Sequence, residues 1–307
     1  MGRQTMTTYR RELSNGQFAL LLSVPVIAFL LMVMIYPMTY AIWLSFQEVS
    51  FFGGFKTTYT GFANYQEALL SRDFWWSTLV TIRFVLLSVV LSIGIGLALA
   101  MLMDRAGKWR SLLGTIIILP WSVSLYGAGV MWAYLARGQT GVASSLVNLI
   151  LGTSTSDKAI EISLISGRHI VDLLALGNAW NIAPLVAFFL LASLKTIPSR
   201  LYDLAGLDQL TAWERFVHVT LPPLHYSLFV FTSIAMILSM KQLDFIYVMS
   251  AGGPGDASST LTYRLYELAF RQSNYGLSAA MSFYLLFLTI GSALALHFLW
   301  GRKLETT

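Results

Sequence analysis

Cysteine is absent from this chain of 307 residues. Disulfides, thiolate metal sites and cysteine nucleophiles are therefore excluded. Charge is scarce as well: 11% of residues are charged, against roughly 25% in a soluble domain. That leaves too little polar surface to cover a water-soluble globule of this size, which argues against a cytosolic enzyme. With 56% hydrophobic residues, a disordered chain is excluded too. No GxxxxGK(S/T) run occurs. The only Gly-Lys pair, Gly107-Lys108, has no Ser or Thr after it, so a P-loop for ATP is ruled out. HExxH and GxSxG are missing. The histidines, His169, His218, His225 and His297, are scattered, and Pro222 and Pro223 separate the closest two, which argues against a shared metal. No carboxylate pair lies at helical spacing inside an apolar run, which disfavours a proton pump or an intramembrane aspartyl protease.

What the chain does have is long apolar runs. A helix crossing the bilayer needs about 20 residues. Uncharged stretches of that length or more run from Leu13 to Gln47, Phe84 to Met103, Ser111 to Ala136, Leu173 to Leu194, Phe216 to Met240 and Gln272 to Gly301. A further uncharged run, Gly138 to Ser156, is rich in Gly, Ser, Thr and Asn and reads as a loop. Backbone polar groups in lipid must be satisfied internally, so the long runs read as helices, with kinks at Pro25, Pro37, Pro120 and Pro184. The spans fall at about 18–43, 79–103, 112–135, 172–194, 224–249 and 277–300, in one transmembrane domain over 1–307. The fold class is all-α, a polytopic membrane protein of six helices. Aromatics at 14%, with nine Trp, suit two membrane interfaces.

Lys and Arg set the orientation. With the N-terminus inside, the short inner segments hold eleven: Arg3, Arg10, Arg11, Arg105, Lys108, Arg110, Lys195, Arg200, Arg215, Arg302 and Lys303. The longer outer loops hold seven. The bias places both termini in the cytoplasm and accounts for most of the net charge of +5, so nucleic acid is not indicated. Arg10-Arg11 ahead of an apolar run could mark a twin-arginine signal, but the run is too long for one and no small-residue cleavage site follows. An uncleaved first helix is expected. The largest inner loop, about 195–223, is long enough to hold a partner.

That loop reads Ser193-Leu-Lys-Thr-Ile-Pro-Ser-Arg-Leu-Tyr-Asp-Leu-Ala-Gly-Leu-Asp-Gln-Leu-Thr-Ala-Trp-Glu-Arg-Phe-Val-His-Val-Thr-Leu-Pro222. Pro198 can start a helix, and Leu201, Leu204 and Ala205 give a small apolar face at i, i+3 and i+4. Phe216 and Val219 give a second. Such a face can enter a groove on a soluble partner or lie in the membrane interface. The stretch resembles the EAA loop of binding-protein-dependent ABC importer permeases: EAA, three residues, Gly, nine residues, then I-x-L-P. Asp203-Leu204-Ala205, Gln209, Val219, Leu221 and Pro222 fit that spacing without a gap. Asp replaces Glu, Leu replaces Ala, Gln replaces Gly and Val replaces Ile. The Gly position carries a turn, so Gln209 makes that turn costlier or moves it to a neighbour such as Gly206.

Other segments carry the resemblance along the chain. Gly61-Phe-Ala-Asn-Tyr65 with Asp73-Phe-Trp75 is similar to the stretch before the second span of carbohydrate permeases, and Pro120 with Trp132 to their third span. Ile197-Pro198 precedes the loop, and Asp244-Phe-Ile-Tyr-Val-Met-Ser-Ala-Gly-Gly-Pro254 is similar to the run ending their fifth. The chain is thereby identified as a member of the maltose/glycerol-3-phosphate-type permease group, with the MetI-like fold of type I ABC importers. The resemblance implies a permease subunit in a bacterial inner membrane, without catalytic residues. Its implied partners are a second permease subunit, usually a different chain, two ATPase subunits that bind ATP and Mg, and an external solute-binding protein, with lipid around it. It assigns coupling to Asp203, Leu204, Ala205, Gly206, Asp208, Gln209 and Pro222.

The transport path is read from intramembrane polar and aromatic groups. Lys241 and Asp244, three apart, share a helix face and pair with each other, and Arg83 snorkels; alternatively, Lys241 or Arg83 lines the path and favours an anionic sugar derivative. Trp180, Phe245 and Tyr247 are further candidates, as stacking surfaces for sugar or as bundle packing. Small residues Gly94, Gly96, Ala100, Gly291 and Ala295 allow close helix approach, within the chain or to the second permease. The alternatives to sugar import are a permease for a non-sugar solute, such as a peptide or polyamine, and a polytopic membrane enzyme, for which no convergent His or carboxylates are found.

Overall fold

The structure is a computed structural model, which describes residues 14–50, 54, 56–136, 141–150, 167 and 169–301. The first helix begins at a capping box, in which the Ser14 hydroxyl and the Gln17 side chain each accept from the other's amide. It runs as α1 (Asn15–Leu30), a five-residue π turn, and α2 (Tyr36–Ser45). An antiparallel hairpin follows, β1 (Gln47–Ser50) with β2 (Lys56–Tyr59), paired Gln47 to Tyr59. Next come α3 (Ala63–Leu70) and the longest helix, α4 (Arg72–Arg105). Then α5 (Arg110–Ser122), α6 (Leu125–Ala136) and α7 (Val142–Ile150) lead to α8 (Ile170–Leu194). The loop carries α9 (Ser199–Leu207) and α10 (Ala212–Arg215). Last come α11 (Leu221–Met240), α12 (Asp244–Met249), α13 (Leu261–Tyr266) and α14 (Tyr275–Leu296).

Five helices among the described residues are long and apolar enough to cross a membrane, and a sixth span exists if α5 and α6 count as one. The best buried is α8, because α4, α5 and α11 pack around it. The contact with α4 is set by small residues: a Cβ on Gly96 would overlap Val186, and Ala100 is fully buried. Gly94 has open space instead, and Gly291 and Ala295 are exposed. The small residues therefore divide, with Gly96 and Ala100 serving packing within the chain.

Three expectations about span shape need correction. The third span is not one kinked helix: α5 and α6 meet at 93°. The bend is held from outside, since the Asn181 amide on α8 donates to the carbonyls of Pro120 (2.8 Å) and Val123 (3.4 Å) at the break. The fifth span is broken after Met240, and α12 packs on α6, where Gly129 lets Val248 and the Phe245 carbonyl come close. Conversely, the helix is not interrupted at Pro222 and Pro223. A π turn at Phe216–Thr220 joins α10 to α11, widening the helix just ahead of two residues that have no amide to donate. Part of the run read as a loop, Gly138 to Ser156, is helical as α7, at nine residues too short to span.

Candidate functional site

The loop that carries the candidate coupling element starts where α8 ends. Ile197 is buried in one apolar cluster with Leu194, Leu224 and Leu228, so the loop root is part of the core. Pro198, extended at ψ 133°, sets the start of α9. Asp203, Leu204, Ala205 and Gly206 all lie in α9: Ala205 faces inward at 3% exposure, whereas Asp203, Leu204 and Gly206 are exposed. Asp208 ends the helix. Gln209 takes the turn itself, at φ +54°, and Gly206 stays helical. The turn is a Schellman closure: the Leu210 amide donates to the Ala205 carbonyl (3.0 Å) and the Gln209 amide to Gly206 (3.1 Å). The turn is thus not displaced by the side chain; the backbone adopts it despite the Cβ.

Thr211 then caps α10. The Thr211 amide (2.8 Å) and hydroxyl (2.7 Å) both donate to the Glu214 carboxylate, and these bonds hold its carboxyl below the usual range. Leu201, Leu204, Leu210, Val219, Pro222 and Pro223 line an open groove of about 290 Å³ along this face. Leu207 and Trp213 project beside it, at 78% and 72% exposure. The loop is fastened at several points. Lys195 forms an ion pair with Asp104 at the end of α4, the Tyr202 and Thr220 hydroxyls meet at 3.2 Å, and those of Ser193 and Ser227 at 2.7 Å. An exposed face on a firmly rooted helix–turn–helix can pass a push from below into α4, α8 and α11.

The structure separates the path candidates. Lys241 and Asp244 do not pair: Lys241 caps the end of α11, Asp244 begins α12, and the shared face required an unbroken helix. Both are exposed. Arg83 pairs with Asp172 in the first turn of α8 (2.6 Å), with His169 Nδ1 at 3.7 Å from the same carboxylate. Phe245 is fully buried and fills the space over Gly177 against Trp132, so it is packing and not a stacking surface. Trp180 stands edge-on to Trp132 (6.2 Å) and Tyr247 edge-on to Tyr266 (5.0 Å), both partly exposed.

Several polar residues that organise this region were missed. Asn178 bonds Ser239 between α8 and α11 (2.9 Å), Asn181 holds the α5–α6 bend, and Gln242 is buried at the α11 break. The available signal was polar amides inside apolar runs, three residues apart in α8.

The end of the bundle opposite this loop is equally built. Asn64 donates to the carbonyls of Ser45 (2.9 Å) and Gln47 (3.0 Å), fixing the hairpin, and Gly276 leaves room for the Gln47 carbonyl. Gly252, at φ +78°, lies where a Cβ would overlap Tyr263. Trp76 donates to the Asp256 carbonyl (2.9 Å), and Arg264 bridges Asp73 (2.7 Å) and Glu267 (2.6 Å). The segments around Asn64-Tyr65 and Gly252-Gly253-Pro254 are therefore braces of this end of the bundle.

Residues 91–299 match the family of binding-protein-dependent transport system inner membrane components. The chain is 28% identical to the trehalose/maltose transport system permease protein MalF of Thermococcus litoralis, over 90% of both chains. It is also 28% identical to the sulfoquinovosyl glycerol transport system permease protein SmoG of Agrobacterium fabrum, covering 88% of this chain and 86% of that one. Its fold is similar to that of a bacterial alginate ABC transporter solved with an alginate pentasaccharide-bound periplasmic protein, with a TM-score of 0.77 at 19% identity over 93% of this chain and 94% of that chain.

Proposed function

Because the chain belongs to the family of binding-protein-dependent transport system inner membrane components, and is a multi-pass permease, we propose that it imports a carbohydrate or sugar derivative. It receives the solute from an external binding protein and releases it to the cytoplasm by alternating access. The observation that carries the reading is the rooted helix–turn–helix at Ser199–Arg215, with its groove and exposed Leu204, Leu207 and Trp213. The chain pairs with a second, related permease subunit. Two ATPase subunits below hold ATP and Mg and supply the energy, and this chain is non-catalytic. Both termini lie in the cytoplasm, with Asp203, Leu204, Ala205, Gly206, Asp208, Gln209 and Pro222 forming the coupling element. The sugar assignment draws on the disaccharide and sulfonated-sugar names of the relatives.

Within the path, Lys241 is the cation offered to an anionic solute. It has no acidic partner among the described residues, whereas Arg83 is neutralised by Asp172. Trp180 and Tyr247 supply partly exposed rings. The test is co-purification followed by uptake. An ATPase, a sister permease and an exported binding protein should come with this chain, and deleting 203–210 should abolish accumulation. Intact complex and unchanged uptake after that deletion would refute the coupling role. Lys241→Ala should lower uptake of anionic sugars at least tenfold more than neutral ones; equal loss for both would remove the anionic preference.

A further inference from the structure

The turn between α4 and α5 is the most basic short segment in the described structure: Arg105, Lys108 and Arg110 fall within six residues. Its charges are not spent on acids. Arg110 donates to the carbonyls of Met103 (3.0 Å) and Asp104 (3.1 Å), offsetting the negative end of α4. The adjacent acid, Asp104, is taken by Lys195. Arg105 is exposed with no hydrogen-bond or acidic partner among the described residues, and Lys108 lies 5.9 Å over the Trp109 ring. The positive N-terminal end of α5 opens at the same point.

Directly beside this turn is an open apolar groove of about 390 Å³. Arg105 and Trp109 stand at its basic end, and Leu102, Leu112 and Leu113 line the rest. Along α4 the same face continues at Ala98 and Gly94, both exposed, with open space around Gly94. Cation, interfacial indole, then an aliphatic trough with small residues complements, in order, the anionic phosphate, the glycerol region and the acyl chain of a phospholipid. The Lys195–Asp104 pair fixes this turn on the same side of the membrane as the loop carrying α9 and α10.

We infer that the Arg105–Arg110 turn binds the phosphate headgroup of an anionic phospholipid, with an acyl chain in the groove between α4 and α5. The site rests on the chain being a membrane protein and is independent of which solute it carries.

The assembled transporter, extracted in mild detergent, tests it by native mass spectrometry after incubation with phosphatidylglycerol or phosphatidylcholine. Wild type should retain phosphatidylglycerol in preference. Arg105→Gln with Lys108→Gln should weaken that retention about 30-fold, as expected for two interfacial cations. Leu112→Trp keeps the charges and fills the trough, and should also release the lipid. Because it leaves the basic residues in place, it checks the site even if the double variant assembles poorly. Equal retention of both lipids by wild type, or undiminished retention by both variants, would overturn the proposal. So would displacement by millimolar inorganic phosphate, which marks a soluble-anion site, or photo-cross-linking from position 109 to a protein subunit, which marks a subunit interface. Loss of lipid with uptake intact would leave the transport reading standing, so the two can fail separately.

Discussion

Gln209 occupies a left-handed backbone position at φ +54°, where a β-carbon costs roughly 1 kcal/mol relative to Gly. Gln209→Gly should therefore raise the thermal midpoint of the purified complex by a few degrees, and Gln209→Val should lower it. An unchanged midpoint for both would mean the turn is not strained. Glu214 makes a different point. Its carboxyl is held below the ordinary range by the Thr211 hydroxyl and amide. A depressed folded value means the cap contributes fully above the ordinary carboxylate range and is lost as pH falls through the folded value. Protection of the Thr211 amide, measured relative to its intrinsic exchange rate, should thus fall only as the pH drops below the ordinary carboxylate range, and Glu214→Gln should remove that pH dependence of protection. At Phe245, burial against Gly177 and Trp132 makes truncation expensive: Phe245→Ala should destabilise by about 3–5 kcal/mol. Wild-type stability with selective loss of sugar binding would instead return Phe245 to the path.

At the scale of elements, apolar length was legible and apolar shape was not. Hydropathy registers that a segment is oily, so the run from Ser111 to Ala136 looks like one helix whether straight or bent by 93°. What holds the bend is Asn181 on another helix, about sixty residues away in sequence. The Lys241–Asp244 pairing failed for a related reason, since spacing predicts a shared face only while the helix persists. Arg83 found its partner 89 residues away, beyond any local pattern. By contrast the resemblance pointed to a turn at Gln209 or a neighbour such as Gly206, and the Leu210 and Gln209 amides close it at Gln209. Asn181→Leu should remove the side-chain donor to both carbonyls, leaving Pro120 only the long Val123 amide bond, and destabilise by about 1–2 kcal/mol. Asn181→Asp at neutral pH offers no amide to donate and should be at least as damaging, read by thermal denaturation in detergent.

For the whole molecule, the loop and the bundle are joined, among the described residues, by one ion pair as well as by hydroxyl bonds and packing. Lys195→Ala should leave the complex assembled but lower transport per ATP hydrolysed severalfold, because the loop would move without α4. Exchanging the charges, Lys195→Asp with Asp104→Lys, should restore it. Full coupling in the single variant would show that packing alone transmits the movement.

Helix α4 runs from that contact to Asp73, where Arg264 grips it at the opposite end of the bundle, a length of about 50 Å. Along that length Arg83 on Asp172 and Gly96 on Val186 both fasten it to α8. Two rods tied at separate points tilt as one plate, so a push delivered at Asp104 has no joint in which to dissipate before it reaches the Arg264 clasp.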